Sequence, residues 1–226
     1  MFEIIVMIVA PILLSLAVMI YNNFPDIKEK SGFSARLKEV FAFKKNKIVL
    51  LLLTLFGIGI MFLSHWTYEY SLEISLKQLF IYELLIAVAY LDYKKMIIPN
   101  KLVLLGFFSY FVFFAYEAIV KDINISVLLK SAGLGLLFGG GVFALSGILS
   151  KGSMGMGDVK LFSVLGILMG FQAVFNVIFF SVLLVVIYTV IQFARKKIDR
   201  KSTVPVGPFA LMGMMVSMVL GIGGMM

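Results

Sequence analysis

Long apolar stretches constrain this chain more than any other feature of its sequence. Membrane-spanning helices need about 20 mostly apolar residues each, and fewer where they pack within a bundle. Eight segments qualify: 2–21, 48–64, 79–91, 102–120, 127–149, 159–170, 171–193 and 204–226. Charged residues make up only 14% of the chain, against about 25% in soluble domains. The sequence predicts an all-α fold: one polytopic membrane helix bundle over residues 1–226, with about eight transmembrane helices. Because 79–91 and 159–170 are short, six or seven spans are alternatives.

The positive charges predict how the bundle is oriented. Four connecting segments, 22–47, 92–101, 150–160 and 194–203, hold 17 of the 20 Lys and Arg residues. Basic loops stay in the cytoplasm, so these segments are expected there, with both termini outside. The longest, 22–47, is predicted to be a short basic cytoplasmic loop. The net charge of +8 is therefore a topology signal that also contacts anionic membrane lipids, and nucleic acid is not expected as a partner.

The first apolar segment is expected to remain as an anchor. It begins with Glu3 in place of a basic stretch, and no small-residue cleavage site follows it, so it does not resemble a cleaved signal peptide. The multi-pass pattern predicts a plasma-membrane protein. The sequence contains no cysteine and a single histidine, His65, which excludes disulfides, thiolate metal sites and a thiol nucleophile.

Glycines recur at a spacing that suits close helix packing. Gly135 and Gly139 are four residues apart, as are Gly166 and Gly170. Small residues at this spacing let two helix backbones approach closely in lipid. We interpret them chiefly as packing positions. Such packing would also help two helices to hold two acids together.

Acidic residues near an apolar core are costly and each needs an explanation. Two of them, Asp92 and Asp158, stand where a predicted span meets the same, cytoplasmic side. Taken singly, Asp158 could be a helix N-cap, and Asp92 could be a solvated end residue paired with Lys94 or Lys95. Taken together, they are candidates for a pair of acids that act jointly on one substrate.

Three ordered motifs surround these acids. The first is Asp92 followed by Ile-Pro99-Asn100, the second is Gly155-Met-Gly157-Asp158 and the third is Pro205-Val-Gly207-Pro208-Phe. In this order and spacing they resemble the type IV prepilin peptidases, which are G-x-G-D intramembrane aspartic proteases. The resemblance covers roughly residues 75–226, which would form the peptidase core, and it implies that Asp92 and Asp158 are the catalytic pair.

A pair of carboxylates has a chemistry that can be argued independently. Two of them about 5 Å apart, at an effective dielectric constant near 20, repel by roughly 3 kcal/mol, so the pair holds one proton at neutral pH and titrates as a unit. The ionised partner can take a proton from a water molecule that attacks a peptide carbonyl. The protonated partner can hydrogen-bond the carbonyl oxygen and then protonate the leaving amine. No metal is required. The residue pattern leaves open which Asp is the base.

The resemblance also implies a substrate and a wider site. The family's substrates are pilin-like or pseudopilin precursors with a short basic leader, cut at the cytoplasmic membrane boundary. The matching motifs add further candidate active-site residues, which are Pro99, Asn100, Gly155, Gly157, Lys160, Pro205, Gly207 and Pro208. Proteolysis needs no cofactor. S-adenosylmethionine would be needed only if this chain also methylates the new N-terminus, and residues 14–25 match that part of the family only loosely. The paired Cys-x-x-Cys zinc site of many relatives is absent from the sequence.

Two other functional classes fit parts of the pattern. A proton-coupled carrier could use the same acids in a relay, with glycine-broken helices, but it would be expected to show an inverted repeat, and none is apparent in the sequence. A non-catalytic assembly subunit would tolerate the loss of both acids. The peptidase is the interpretation that accounts for all three motifs.

Overall fold

A computed structural model describes residues 45–149, 155–199 and 202–222. These residues form six helices: α1 (Lys45–Tyr68), α2 (Leu72–Lys95), α3 (Asn100–Ile119), α4 (Ile125–Leu149), α5 (Met156–Ala194) and α6 (Gly207–Val219). The first five are long and apolar enough to cross a membrane. The predicted helical membrane bundle is confirmed. The predicted anchor 2–21 and nearly all of the predicted loop 22–47 lie outside the described residues.

Six helices are fewer than the eight predicted, for two reasons. One predicted span, 2–21, lies outside the described part of the chain. Two others, 159–170 and 171–193, belong to the single helix α5, which is interrupted at Gly170 by φ 75° and ψ 175°. Only glycine adopts this conformation readily, because it has no Cβ. The predicted division between these two segments therefore falls at the residue where the helix breaks.

The two segments of α5 run in opposite directions, as their contacts with α6 show. Near the start of α6, Phe209 packs against Tyr188, with ring centroids 5.3 Å apart. Beyond the end of α6, the Ile222 carbonyl accepts a 2.6 Å hydrogen bond from Asn176 Nδ2. The second segment is thus antiparallel to α6. Since the first segment starts at the same end of the bundle as α6, the chain turns back at Gly170.

Helix α2 forms the centre of the bundle and is longer than the predicted span 79–91. The sequence pattern stopped short of Lys77 because a charged residue is unfavourable in an apolar segment. In the structure Lys77 is buried, and its Nζ lies 2.7 Å from Glu117 Oε1 of α3. A second ion pair joins Lys121 to Glu73 at 2.7 Å. The ion pairs therefore allow α2 to continue beyond the predicted span. They also join α3 to α2 at the end of the bundle far from Asp92.

The glycine spacing produces the predicted close approach between α4 and the first segment of α5. A Cβ placed on Gly135 would lie 2.0 Å from the Gly166 carbonyl oxygen, and a Cβ on Gly166 would lie 2.0 Å from the Gly135 carbonyl oxygen. One turn along, a Cβ on Gly139 would lie 2.2 Å from the Phe162 carbonyl oxygen. The helices are therefore in backbone contact at positions where no other residue fits.

Candidate functional site

Asp92 lies in the last turn of α2 and is 6% exposed. Its Oδ2 accepts a 2.8 Å hydrogen bond from the Gly207 backbone N–H. This donor is at the N-terminus of α6, where unpaired N–H groups and the positive end of the helix dipole favour an anion. The structure thus corrects the alternative in which Asp92 is a solvated residue paired with Lys94 or Lys95.

Glycine at position 207 allows α6 to begin so close to Asp92. A Cβ there would lie 3.0 Å from both Cβ and Oδ2 of Asp92, and 3.3 Å from the Ala89 Cα. Pro208 occupies the first turn of α6, where its missing N–H costs nothing and its fixed φ suits the helix. The Pro205–Pro208 motif therefore starts a helix directly against the carboxylate.

Asp158 lies in the first turn of α5 and is half-buried. A Cβ placed on Gly155 would lie 3.2 Å from Asp158 Oδ2, so the carboxylate lies beside that glycine, and the Asp158 N–H donates to the Gly155 carbonyl at 3.1 Å. The N-cap is Gly155 and not Asp158, which corrects the simple N-cap alternative. Instead Asp158 is the third helical residue of α5.

The two acids meet at the same end of the bundle. Asp92 and Asp158 are close enough for their charges to interact, although they come from the end of one helix and the start of another. Asp92 is held by the Gly207 N–H at the N-terminus of α6, and Asp158 lies in the first turn of α5. The arrangement therefore presents two carboxyl groups at one end of the bundle.

The segment that follows Asp92 packs against the residues that flank Asp158. Pro99 is the N-cap of α3, and Asn100 Oδ1 accepts a 3.1 Å hydrogen bond from Lys160 Nζ. Beside it, a Cβ on Gly157 would lie 3.1 Å from the Ile98 Cβ. The structure therefore brings the three sequence motifs together. Ile98 belongs to the first motif, but its contact with Gly157 was not predicted from the sequence; its apolar character beside Pro99 was the available signal.

Two other acids of the described residues, Glu117 and Glu83, occupy different positions in the bundle. Glu117 forms the ion pair with Lys77. Glu83 is fully buried in α2, and neither of its carboxylate oxygens has a hydrogen-bond partner; it precedes Asp92 by about two and a half helical turns. Among the residues that the structure describes, no group of three His, Cys, Asp or Glu side chains could hold a metal ion.

Comparisons with known proteins place the chain in a family. Residues 79–190 match the model of the type IV leader peptidase family, a range that includes Asp92 and Asp158 but not Pro205–Pro208. The chain is also similar to a prepilin leader peptidase/N-methyltransferase of Bacillus subtilis (strain 168), with 31% identity over 151 residues. The aligned stretch covers 67% of this chain and 58% of that relative, so the chain spans less than two thirds of the relative's length. No solved structure gives a significant match. The chain belongs to the type IV leader peptidase family.

Proposed function

We propose that this chain is an aspartic endopeptidase that removes the short basic leader of type IV prepilin-like precursors. The observation that carries the proposal is the convergence of Asp92 and Asp158 at one end of the membrane bundle. Asp92 accepts a hydrogen bond from the Gly207 N–H, and the segment after Asp92 contacts Gly157 and Lys160, on either side of Asp158. The family match and the prepilin leader peptidase of Bacillus subtilis support the substrate class. We place the site at the cytoplasmic face, in line with the basic loops that adjoin it.

The proposed reaction is hydrolysis of one peptide bond. The ionised carboxyl takes a proton from a water molecule, and the water oxygen bonds to the carbonyl carbon. The protonated carboxyl donates a hydrogen bond to the carbonyl oxygen. It then gives its proton to the leaving nitrogen as the C–N bond breaks. The products are a leader with a new carboxylate and a mature protein with a new amine, and both Asp residues return to their starting state as a pair.

The bundle adds two constraints on the substrate. A scissile bond inside a helix is shielded by its own hydrogen bonds, so the substrate must be extended where it meets the pair. The glycine-containing turn at Gly155 and Gly157 leaves room for an extended strand beside Asp158, because neither residue has a side chain. The apolar helix that follows the leader would pack against the spans, which we propose as the main source of affinity.

We propose cleavage alone as the activity of this chain. The name of the Bacillus subtilis relative also includes N-methyltransferase. The region that the resemblance associates with methylation, residues 14–25, lies outside the described residues. If the activity is present, S-adenosylmethionine is the cofactor that the reaction needs.

The proposed function is tested by reconstituting the purified full chain in lipid vesicles with a prepilin-like precursor. We expect a truncated product whose new N-terminus, read by mass spectrometry, falls between the basic leader and the apolar helix. Cleavage of the precursor by vesicles that lack the chain would show that a contaminating protease is responsible. Proton-driven flux of a small solute without any cleavage would contradict the peptidase and favour a carrier.

A glycine substitution tests whether α6 positions Asp92. Gly207→Ala places a methyl group 3.0 Å from Asp92 Cβ and Oδ2, so the carboxylate or the start of α6 must move. Because a misplacement of about 1 Å can cost about 100-fold in rate, we expect kcat to fall at least tenfold. The matched control is Gly59→Ala, because a Cβ at position 59 would have no atom within 4 Å. The kcat of this variant should equal that of the wild type. Wild-type kcat in Gly207→Ala would show that α6 does not set the geometry of Asp92.

A further inference from the structure

The geometry points to a two-point clamp, made by Ile98 on Gly157 and Asn100 on Lys160, that positions Asp92 relative to Asp158. The inference rests on the proposed function for its catalytic consequence. The clamp itself involves the connection between α2 and α3, residues 96–99, and is inferred from the Ile98–Gly157 and Asn100–Lys160 contacts. Asn100 and Lys160 are positioning residues in this proposal, since they act through the two acids and do not touch the reacting atoms.

The connection leaves α2 through a conformation that needs support. Met96, the C-cap of α2, has φ 53° and ψ 35°, a left-handed conformation that is unfavourable for a residue with a Cβ. Its N–H donates a 2.8 Å hydrogen bond to the Asp92 carbonyl. The turn is therefore bonded directly to the backbone of the acid, and any movement of the turn is passed to Asp92.

The apolar point of the clamp is buried. Ile98 is 9% exposed, although its neighbours Met96 and Ile97 are 53% and 62% exposed. It packs on the backbone of Gly157, the residue before Asp158, at a distance that leaves little room for a Cβ. The glycine thus lets the connection seat itself against the first turn of α5.

The polar point lies on the other side of Asp158. Lys160 Nζ donates to Asn100 Oδ1 at 3.1 Å, and Asn100 is the first residue of α3. Together the two contacts attach the connection to positions 157 and 160, which flank Asp158. Contacts therefore connect Asp92, through the turn at residues 96–99, to positions 157 and 160 of the helix that carries Asp158.

The polar point can be removed without removing the acids. Lys160→Met keeps the aliphatic part of the side chain and removes the Nζ donor. We expect kcat to fall about tenfold with KM unchanged, since a misplacement of about 1 Å can cost up to about 100-fold in rate. Lys160→Arg, which keeps a cationic donor, should restore most of the rate. Lys101→Met is the matched control, because it removes the same charge from a neighbouring exposed lysine, and it should behave like wild type.

A second set of outcomes separates positioning from an effect of charge. If Lys160 acts by position, Lys160→Met lowers kcat without moving either limb of the pH profile, and Asn100→Ala combined with Lys160→Met is no slower than the slower single variant. Three results would each overturn the proposal. They are a shift of either limb of the pH profile, effects that multiply in the double variant, and a kcat for Lys160→Arg as low as that for Lys160→Met.

A third measurement is independent of catalysis. The chain has no cysteine, so a cysteine replacing the exposed Ile97 can carry the only spin label in the protein. We expect Lys160→Met to increase the mobility of that label and Lys101→Met to leave it unchanged. Unchanged mobility in both would overturn the clamp. If the wild type proved unable to cleave any precursor but the label responded as expected, the proposed function would fail and the clamp would stand.

Discussion

Replacing either Asp92 or Asp158 by Asn is expected to reduce leader cleavage by at least about 1000-fold, within the range that general acid–base catalysis contributes. Asparagine has nearly the shape of aspartic acid and can still accept a hydrogen bond through its side-chain oxygen. It can therefore keep the contact of position 92 with the Gly207 N–H and the place of the side chain at 158 beside Gly155. What it loses is the ability to take and return a proton, so the loss should appear in kcat while the protein still accumulates in the membrane.

The double variant sharpens this expectation. Groups that act as one catalytic unit show strongly non-additive effects, so Asp92→Asn with Asp158→Asn should be no slower than the slower single variant. The measurement is the rate of precursor cleavage in vesicles with equal amounts of each protein. Asp122→Asn is the control, because Asp122 is exposed and has φ 52°, a conformation that asparagine tolerates well. Near-normal cleavage by either single variant would remove that acid from the reaction.

The shared position of Asp92 and Asp158 was predictable because hydropathy gives the number of spans that separate them. Each acid stands at the boundary of an apolar segment, and the number of spans between them places both on one side. Their common end of the bundle required no knowledge of side-chain contacts. The partner of Asp92 was harder to predict, since its carboxylate accepts a hydrogen bond from the backbone N–H of Gly207. A backbone donor leaves no signature in residue type beyond the glycine itself.

Helix ends were predicted less well, and for identifiable physical reasons. The apolar segment 204–226 predicted a full span, but α6 is only 13 residues long, because Gly221 has φ 62° and apolar composition does not show where a helix stops. At the start of α5, the preference of Asp for the N-cap suggested Asp158, whereas Gly155 occupies that position. The preference of a single residue type therefore does not decide which residue of this turn becomes the cap.

The second large effect is expected at the crossing of α4 with the first segment of α5. In Gly135→Ala the new methyl group would lie 2.0 Å from the Gly166 carbonyl oxygen. Ordinary contact requires about 3.5 Å, so the two helices must separate by roughly 1.5 Å. Since the obstacle is backbone, no side-chain rotation relieves it. We expect a loss of about 3 kcal/mol of unfolding free energy, at the upper end for overpacked sites.

The same helix provides a matched control for this substitution. Gly133 is two residues away in α4, and a Cβ there would have no atom within 4 Å. Gly133→Ala should therefore be neutral or stabilising by up to about 1 kcal/mol, since alanine favours the helix. Thermal unfolding of the purified proteins in one detergent compares the two directly. Equal melting temperatures for Gly135→Ala and Gly133→Ala would show that the backbone contact does not hold these helices together.

The reciprocal substitution distinguishes local crowding from a general intolerance of change. Gly166→Ala directs its methyl group at the Gly135 carbonyl oxygen, also at 2.0 Å, and should cost about as much as Gly135→Ala. Once one methyl group has separated the helices, the second meets less resistance, so the double variant should lose less than the sum of the two single losses. A fully additive loss would mean that each glycine acts at its own contact. Asp158 lies about two turns before Gly166 in α5. If the loss of stability is sub-additive and cleavage is lost as well, the crossing of α4 and α5 also sets the position of Asp158.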